Sequence, residues 1–152
     1  MVDRETLRNR IIRIIAATRF PFIDQVDWGE GYITIVNDEV KRKGIETGTE
    51  IIYPSIVITR SDGRIQEIGE VEFEDGVSVA NVPNWRLFSD SAGKGRFVKK
   101  FFLYVPEGVE EKAIKLLENN NIEFSGLRVY AVKNGNLIIT PIKSNDGPHD
   151  HR

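Results

Sequence analysis

The chain of 152 residues contains no cysteine, which excludes disulfides and thiolate chemistry. Any metal would therefore sit on oxygen or imidazole. Its two histidines, His149 and His151, both fall in the last few residues of the sequence, so Ser-His-Asp catalysis has no histidine in the body of the chain. No apolar run approaches the ~20 residues of a membrane span. The longest near the start is Ile14-Ile15-Ala16-Ala17, in a region interrupted by Arg4, Arg8, Arg10 and Arg13, and no signal-peptide core follows. The expectation is a cytoplasmic protein with no membrane partner. An excess of either charge is also missing: 21 Lys and Arg stand against 23 Asp and Glu, a formal net charge of -2. That excludes a polycation coating nucleic acid, while a local basic face stays open. Gly93-Lys94-Gly95 lacks the frame of a phosphate-cradling P-loop.

What is present is a globular balance, 40% hydrophobic and 29% charged. A chain of this length buries roughly 70% of its unfolded surface, enough for a core without staples. We expect one α/β domain over residues 1–143 and a polar, disordered tail over 144–152. Asp3 is placed as an N-cap ahead of Leu7, Ile11, Ile14, Ile15 and Thr18, which recur at helical spacing until Pro21. Arg4, Arg8 and Arg19 fall off that stripe and read as a solvated face or as phosphate contacts. Residues 32–36 are rich in strand formers behind Gly29-Glu30-Gly31. Lys41-Arg42-Lys43 reads as an exposed basic loop. Residues 51–60 and 64–73 predict a β-hairpin turned at Asp62-Gly63. Pro83 suits the first turn of a short helix over 82–88, followed by a polar loop over 89–95. Phe101-Phe102-Leu103-Tyr104-Val105 predicts a strand buried on both faces. A helix over 110–119 and a second hairpin about Asn134-Gly135, pairing 127–133 with 136–140, complete the order. Trp85, Phe101 and Phe102 read as core, and Trp28 as the better exposed aromatic. The whole reads as a mixed central β-sheet flanked by helices.

The informative segment is Ile68-Gly69-Glu70-Val71-Glu72-Phe73-Glu74-Asp75. Alternate residues of a strand share a face, which turns Val71 and Phe73 to the core and sets Glu70, Glu72 and Glu74 in a row on the other side. Such neighbours are ~7 Å apart, close enough for like charges to repel. The row needs solvent, basic side chains or a cation, and carboxylate clusters are what hard divalent cations bind. The plain alternative is an exposed acidic face. Counting back from a Ser61–Arg64 pair at a two- or four-residue tip places Ser55 opposite Glu70. A three-residue tip brings Ile56 there instead.

The pattern Tyr53-Pro54-Ser55-Ile56-Val57-Ile58-Thr59, turn, then Ile68 to Asp75 resembles the core of the PD-(D/E)XK phosphodiesterase superfamily, the restriction-endonuclease-like proteins. The resemblance covers about residues 54–142. That superfamily's pattern is Pro-Asp on one strand and Glu-x-Lys on its hairpin partner, then a helix, another strand and a further helix. It implies a restriction-endonuclease-like fold and metal-dependent hydrolysis of nucleic acid phosphodiester bonds, with Mg²⁺ or Mn²⁺ as cofactor. The metal activates a water and stabilises charge on the phosphate, and the Lys positions the water or steadies that charge. Here Glu70 takes the place of the metal-binding Glu, Glu72 that of the Lys and Ser55 that of the Asp. The implied metal ligands are Glu70, Glu72 and Ser55. The implied catalytic residues are Glu70, Glu72 and Lys99, with Lys99 or Lys100 restoring the missing positive charge. Arg4, Arg8, Lys41, Arg42 and Lys43 would steer the nucleic acid backbone. The two departures open an alternative, because a neutral hydroxyl is a poor ligand for a hard cation and Glu for Lys removes a charge. That alternative is a catalytically inactive nucleic-acid-binding or protein-interaction module on the same fold. A homodimer in which the acidic face meets basic residues of a second copy also stays open.

Overall fold

The computed structural model describes residues 3–19 and 31–146. Trp28 and the histidines of the tail lie outside them. In chain order the elements are α1 (Arg4–Arg19), β1 (Ile33–Val36), β2 (Ile45–Glu46), β3 (Ile51–Ile52), β4 (Ile56–Thr59), β5 (Ile65–Val71), α2 (Val82–Ser91), β6 (Phe101–Pro106), α3 (Glu110–Asn119), β7 (Gly126–Lys133) and β8 (Asn136–Ser144). Six strands form one mixed sheet in the order β1-β4-β5-β6-β7-β8, and β2 pairs with β3 in a separate ribbon. β1, β4 and β5 run antiparallel. β6 is parallel to β5 and β7 to β6, as connections through α2 and α3 allow. β8 returns antiparallel.

Local chemistry explains most of these elements. Asp3 Oδ1 accepts the Thr6 N–H at 2.9 Å, capping α1. Pro83 occupies the first turn of α2, where no N–H is missed. Asn134 and Gly135 both take positive φ, 54° and 78°, the pair of values that a tight turn needs to match the strands' twist. The sheet divides two cores by strand alternation. Phe101, Leu103 and Val105 face Val82, Trp85 and Phe88 of α2 and Ala113 and Leu117 of α3. Phe102 and Tyr104 face Ile11, Ile12 and Ile15 of α1. Among the described residues no helix is long and apolar enough to cross a membrane.

The structure corrects several expectations. The buried stripe of α1 is Asn9, Ile11, Ile12, Ile15 and Ala16, while Thr18 is exposed; the helix is rotated to put Ile12 on the sheet. The first hairpin is not continuous from residue 51. Its arm breaks at residues 53–55, because Pro54 has no N–H for a ladder. Residues 89–91 belong to α2 rather than to a loop. β5 ends at Val71, and Glu74 lies exposed in a 3-10 turn (Glu74–Gly76). The three-glutamate row therefore does not form, and β5 is covered on both faces rather than presenting an acidic surface. The second hairpin runs on through Pro141 to Ser144. Beyond it Asp146 is 6% exposed and holds Lys100 Nζ at 2.7 Å and the Phe97 N–H at 2.6 Å. Residues 144–146 are thus part of the domain, and the rest of the expected tail lies outside the described residues.

Candidate functional site

The break in the hairpin arm builds the site. β4 and β5 pair Ile56 with Gly69, Val57 with Ile68 and Ile58 with Glu67 before a bulge at Thr59. The next step of that ladder brings Ser55 to Glu70. Freed from the ladder by Pro54, Ser55 gives both of its donors to one carboxylate oxygen. Its N–H reaches Glu70 Oε1 at 2.8 Å and its Oγ–H at 2.5 Å. The same Oγ accepts the Val71 N–H at 3.1 Å and Arg8 Nη2 at 2.9 Å. Arg8 comes from α1 in the opposite layer, and its Nη2 lies 3.5 Å from Glu70 Oε1. Glu70 itself is 7% exposed. Its burial pushes the carboxyl up, against the pull of the Arg8 charge and of the Ser55 donors.

Glu72 stands just past the end of β5. Its N–H donates to Tyr104 O at 2.9 Å, and its carbonyl accepts the Tyr130 hydroxyl at 2.6 Å. Its Oε2 accepts the Trp85 indole N–H at 2.8 Å. A Cβ on Gly76 would lie 2.5 Å from Glu72 Oε1, so a side chain there would make the carboxyl shift. Burial first, and the Glu70 charge second, push Glu72 up to about 8. Burial and the Glu72 carboxylate raise the Tyr130 hydroxyl as well. Two neighbouring carboxyls titrate as a unit. Ser55 and Arg8 favour the charge on Glu70, while the Glu72 side chain receives the Trp85 indole alone among the described donors.

A cleft of about 400 Å³ opens beside the pair, lined by Arg4, Glu5, Arg8, Glu72 and Asp75. It adjoins a groove of about 940 Å³ that runs between α1 and the carboxyl ends of β6 and β7. Such ends of parallel strands are where open α/β sheets hold ligands. Arg4 forms an ion pair with Asp75 and lies 4.8 Å above the Phe73 ring. Buried Asn37 connects the basic loop to this region. Its Oδ1 accepts the N–H groups of Arg42 and Lys43, and its Nδ2 donates to Pro54 O, all within 2.7–3.1 Å. Its own N–H donates to Ser55 O at 3.0 Å. Lys41 and Arg42 are exposed and Lys43 half-buried, with Lys41 Nζ on Asp38 O at 2.8 Å. Lys99 is not brought in. Its Nζ donates to Ala92 O at 2.9 Å. It precedes Leu103, the partner of Glu70, by four residues, roughly 13 Å along a strand. Arg8 supplies the positive charge expected of Lys99. Trp85, Tyr130 and Asn37 were not legible as site residues; an indole, a phenol or a buried amide reads as core until its partner is known.

The resemblance implies a divalent cation on Ser55, Glu70 and Glu72, and these residues as they stand do not fit one. A serine hydroxyl has one proton and two lone pairs, and Ser55 uses all three on Glu70, Arg8 and Val71. No group of three or more Asp, Glu, His or Cys able to hold a metal gathers among the described residues. The cationic guanidinium of Arg8 already faces Glu70. No protein-family model, curated protein or solved structure matches the chain.

Proposed function

We propose that the chain is a catalytically inactive nucleic-acid-binding module on a restriction-endonuclease-like fold, working in the cytoplasm. The observation that carries this reading is the closed Ser55–Glu70–Arg8 cluster, in which protein donors and a guanidinium meet the carboxylate that a hydrolase would offer to Mg²⁺. The fold relation is supported by the order β4, β5, α2, β6, α3, which follows the superfamily's sequence of motif strands, helix, strand and helix. It is supported again by Ser55 and Glu70 meeting at the motif positions. Nucleic acid as the ligand is supported by the basic loop, which Asn37 ties to the backbone of Pro54 and Ser55. Lys41 and Arg42 thereby stand exposed on a loop anchored to the segment that holds Ser55 against Glu70.

Fluorescence anisotropy with labelled single-stranded DNA, duplex DNA and RNA tests the proposal. Binding is expected to weaken with salt. The Lys41→Ala/Arg42→Ala/Lys43→Ala variant should lower the slope of log affinity against log salt by about 2 to 3, at ~0.9 for each phosphate no longer neutralised. Neither Mg²⁺ nor Mn²⁺ should produce cleavage products on a gel. Divalent-dependent cleavage that disappears in Glu70→Gln would instead establish the metal-dependent hydrolase, with Glu70 and Glu72 as its ligands. Absence of binding to any nucleic acid at low salt would leave the protein-interaction module.

A further inference from the structure

We infer that Arg8 is the resident cation of this centre, and that it shuts out a divalent ion even when the missing carboxylate at position 55 is restored. The inference rests on the non-hydrolytic reading above and goes beyond it, by naming the residue that enforces it. Serine in place of aspartate explains a weak metal site, but it does not explain a guanidinium in the same place. Arg8 Nη2 bridges Ser55 Oγ at 2.9 Å and Glu70 Oε1 at 3.5 Å. These are two of the three side chains from which the superfamily's motif would build its metal site. The Arg8 side chain is 27% exposed and that of Glu70 10%, so the pair is largely withdrawn from solvent and little screened.

The helix secures this arrangement. Arg4 and Arg8 lie four residues apart on α1, hence on one face. Like charges at that spacing repel, and each is offset by its own acid, Arg4 by Asp75 and Arg8 by Glu70. Asp3 fixes the start of the helix through its bond to Thr6, so the register that delivers Arg8 is set one turn before it. Both contacts come from the one guanidinium nitrogen Nη2, and a lysine in place of Arg8 would keep the charge. A divalent ion entering here must expel a positive group that has the protein's own geometry behind it.

Isothermal titration with Mn²⁺, with folding checked by circular dichroism, separates the possibilities. Wild type and Ser55→Asp are expected to show no binding at millimolar Mn²⁺. Ser55→Asp combined with Arg8→Gln is expected to bind at least tenfold more tightly than Ser55→Asp alone, and Ser55→Asp combined with Arg8→Lys to stay with the latter. Equal affinity of Ser55→Asp with and without Arg8→Gln overturns the inference and leaves the non-hydrolytic reading standing. So does a folded Ser55→Asp/Arg8→Gln variant that binds nothing. Binding by the wild type that Glu70→Gln abolishes overturns the reading itself. Should the double variant not fold, the single variants carry the test through their urea midpoints. Mn²⁺ should raise that of Arg8→Gln and not that of Arg8→Lys; equal responses refute the role of the charge.

Discussion

The Ser55 hydroxyl, the Arg8 guanidinium and the two glutamates form a cluster in which burial raises both acids and the donors that each receives differ. Glu70 has the Ser55 N–H, the Ser55 hydroxyl and Arg8; the Glu72 carboxyl has the Trp85 indole. Glu72 ionises at about 8 in the fold against 4.5 for the unperturbed group. A carboxyl raised in this way binds its proton more tightly when folded. Its contribution is therefore most favourable at and below 4.5, and stability falls as pH rises from there towards 8. At its steepest the fall is about 1.4 kcal/mol per pH unit. Glu72→Gln keeps an acceptor for Trp85 and removes the titration. Its urea midpoint should decline less between acid and mildly alkaline pH than that of the wild type, and should exceed it at the alkaline end. Parallel curves for the two proteins would disprove the raised ionisation of Glu72. The raised ionisation was not legible in the sequence, because a carboxyl's charge depends on burial and on donors that come from other elements.

At the scale of elements, turns and caps did most of the specifying. Asp3 caps α1, Pro83 opens α2, and Asn134-Gly135 closes the second hairpin, each through interactions within a few residues. Gly135 has φ of 78°, where an L side chain is strained, so Gly135→Ala should cost about 1 to 2 kcal/mol. An unchanged urea midpoint would show that the turn relaxes instead. Ser55 does reach Glu70, but not through the expected Ser61–Arg64 pair: Arg60 faces Arg64 across a three-residue tip, which alone would bring Pro54 to Glu70, and the bulge between Ile58 and Thr59 restores the register. Alternation failed beyond Val71, where the strand gives way to a 3-10 turn and Glu74 leaves the row. It failed too for the faces, because a central strand is covered on both sides and polar residues on it are buried with their partners. β8, at one of the sheet's two edges, carries Pro141 and is opposite a register shift at Leu127/Arg128. Both features discourage a second copy from extending the sheet, which argues against β8 as the seam of a homodimer.

Across the whole molecule, two layers of helices close over the sheet, and bonds between distant segments secure its ends. Asp146 holds Lys100 Nζ and the Phe97 N–H, joining the end of the second hairpin to the start of β6. Lys100 and the neighbouring backbone donors hold its carboxyl, despite burial, at about 2, below the ordinary 3.8. A depressed carboxyl stabilises the fold above its unfolded value, and that contribution is lost as pH falls from 3.8 through 2. Asp146→Asn should therefore lower stability at neutral pH by roughly 1 to 3 kcal/mol and flatten the acid limb of the stability curve. Equal acid limbs for wild type and variant would contradict this.

Taken by itself, the sequence determined a mixed α/β sheet, the Asn134-Gly135 turn and the span of α3. Those features depend on chain geometry over short separations, whereas the meeting of Ser55 with Glu70 needed a bulge between Ile58 and Thr59 that no local pattern announced. The tertiary structure alone decided that Arg8, 47 residues from Ser55 in the chain, faces the carboxylate instead of solvent. It also decided that Trp85 and Tyr130 converge on Glu72. Which side chain meets which acid is set by how the helical layers dock on the sheet, and docking depends on the shape and volume of two cores rather than on any local pattern of residues.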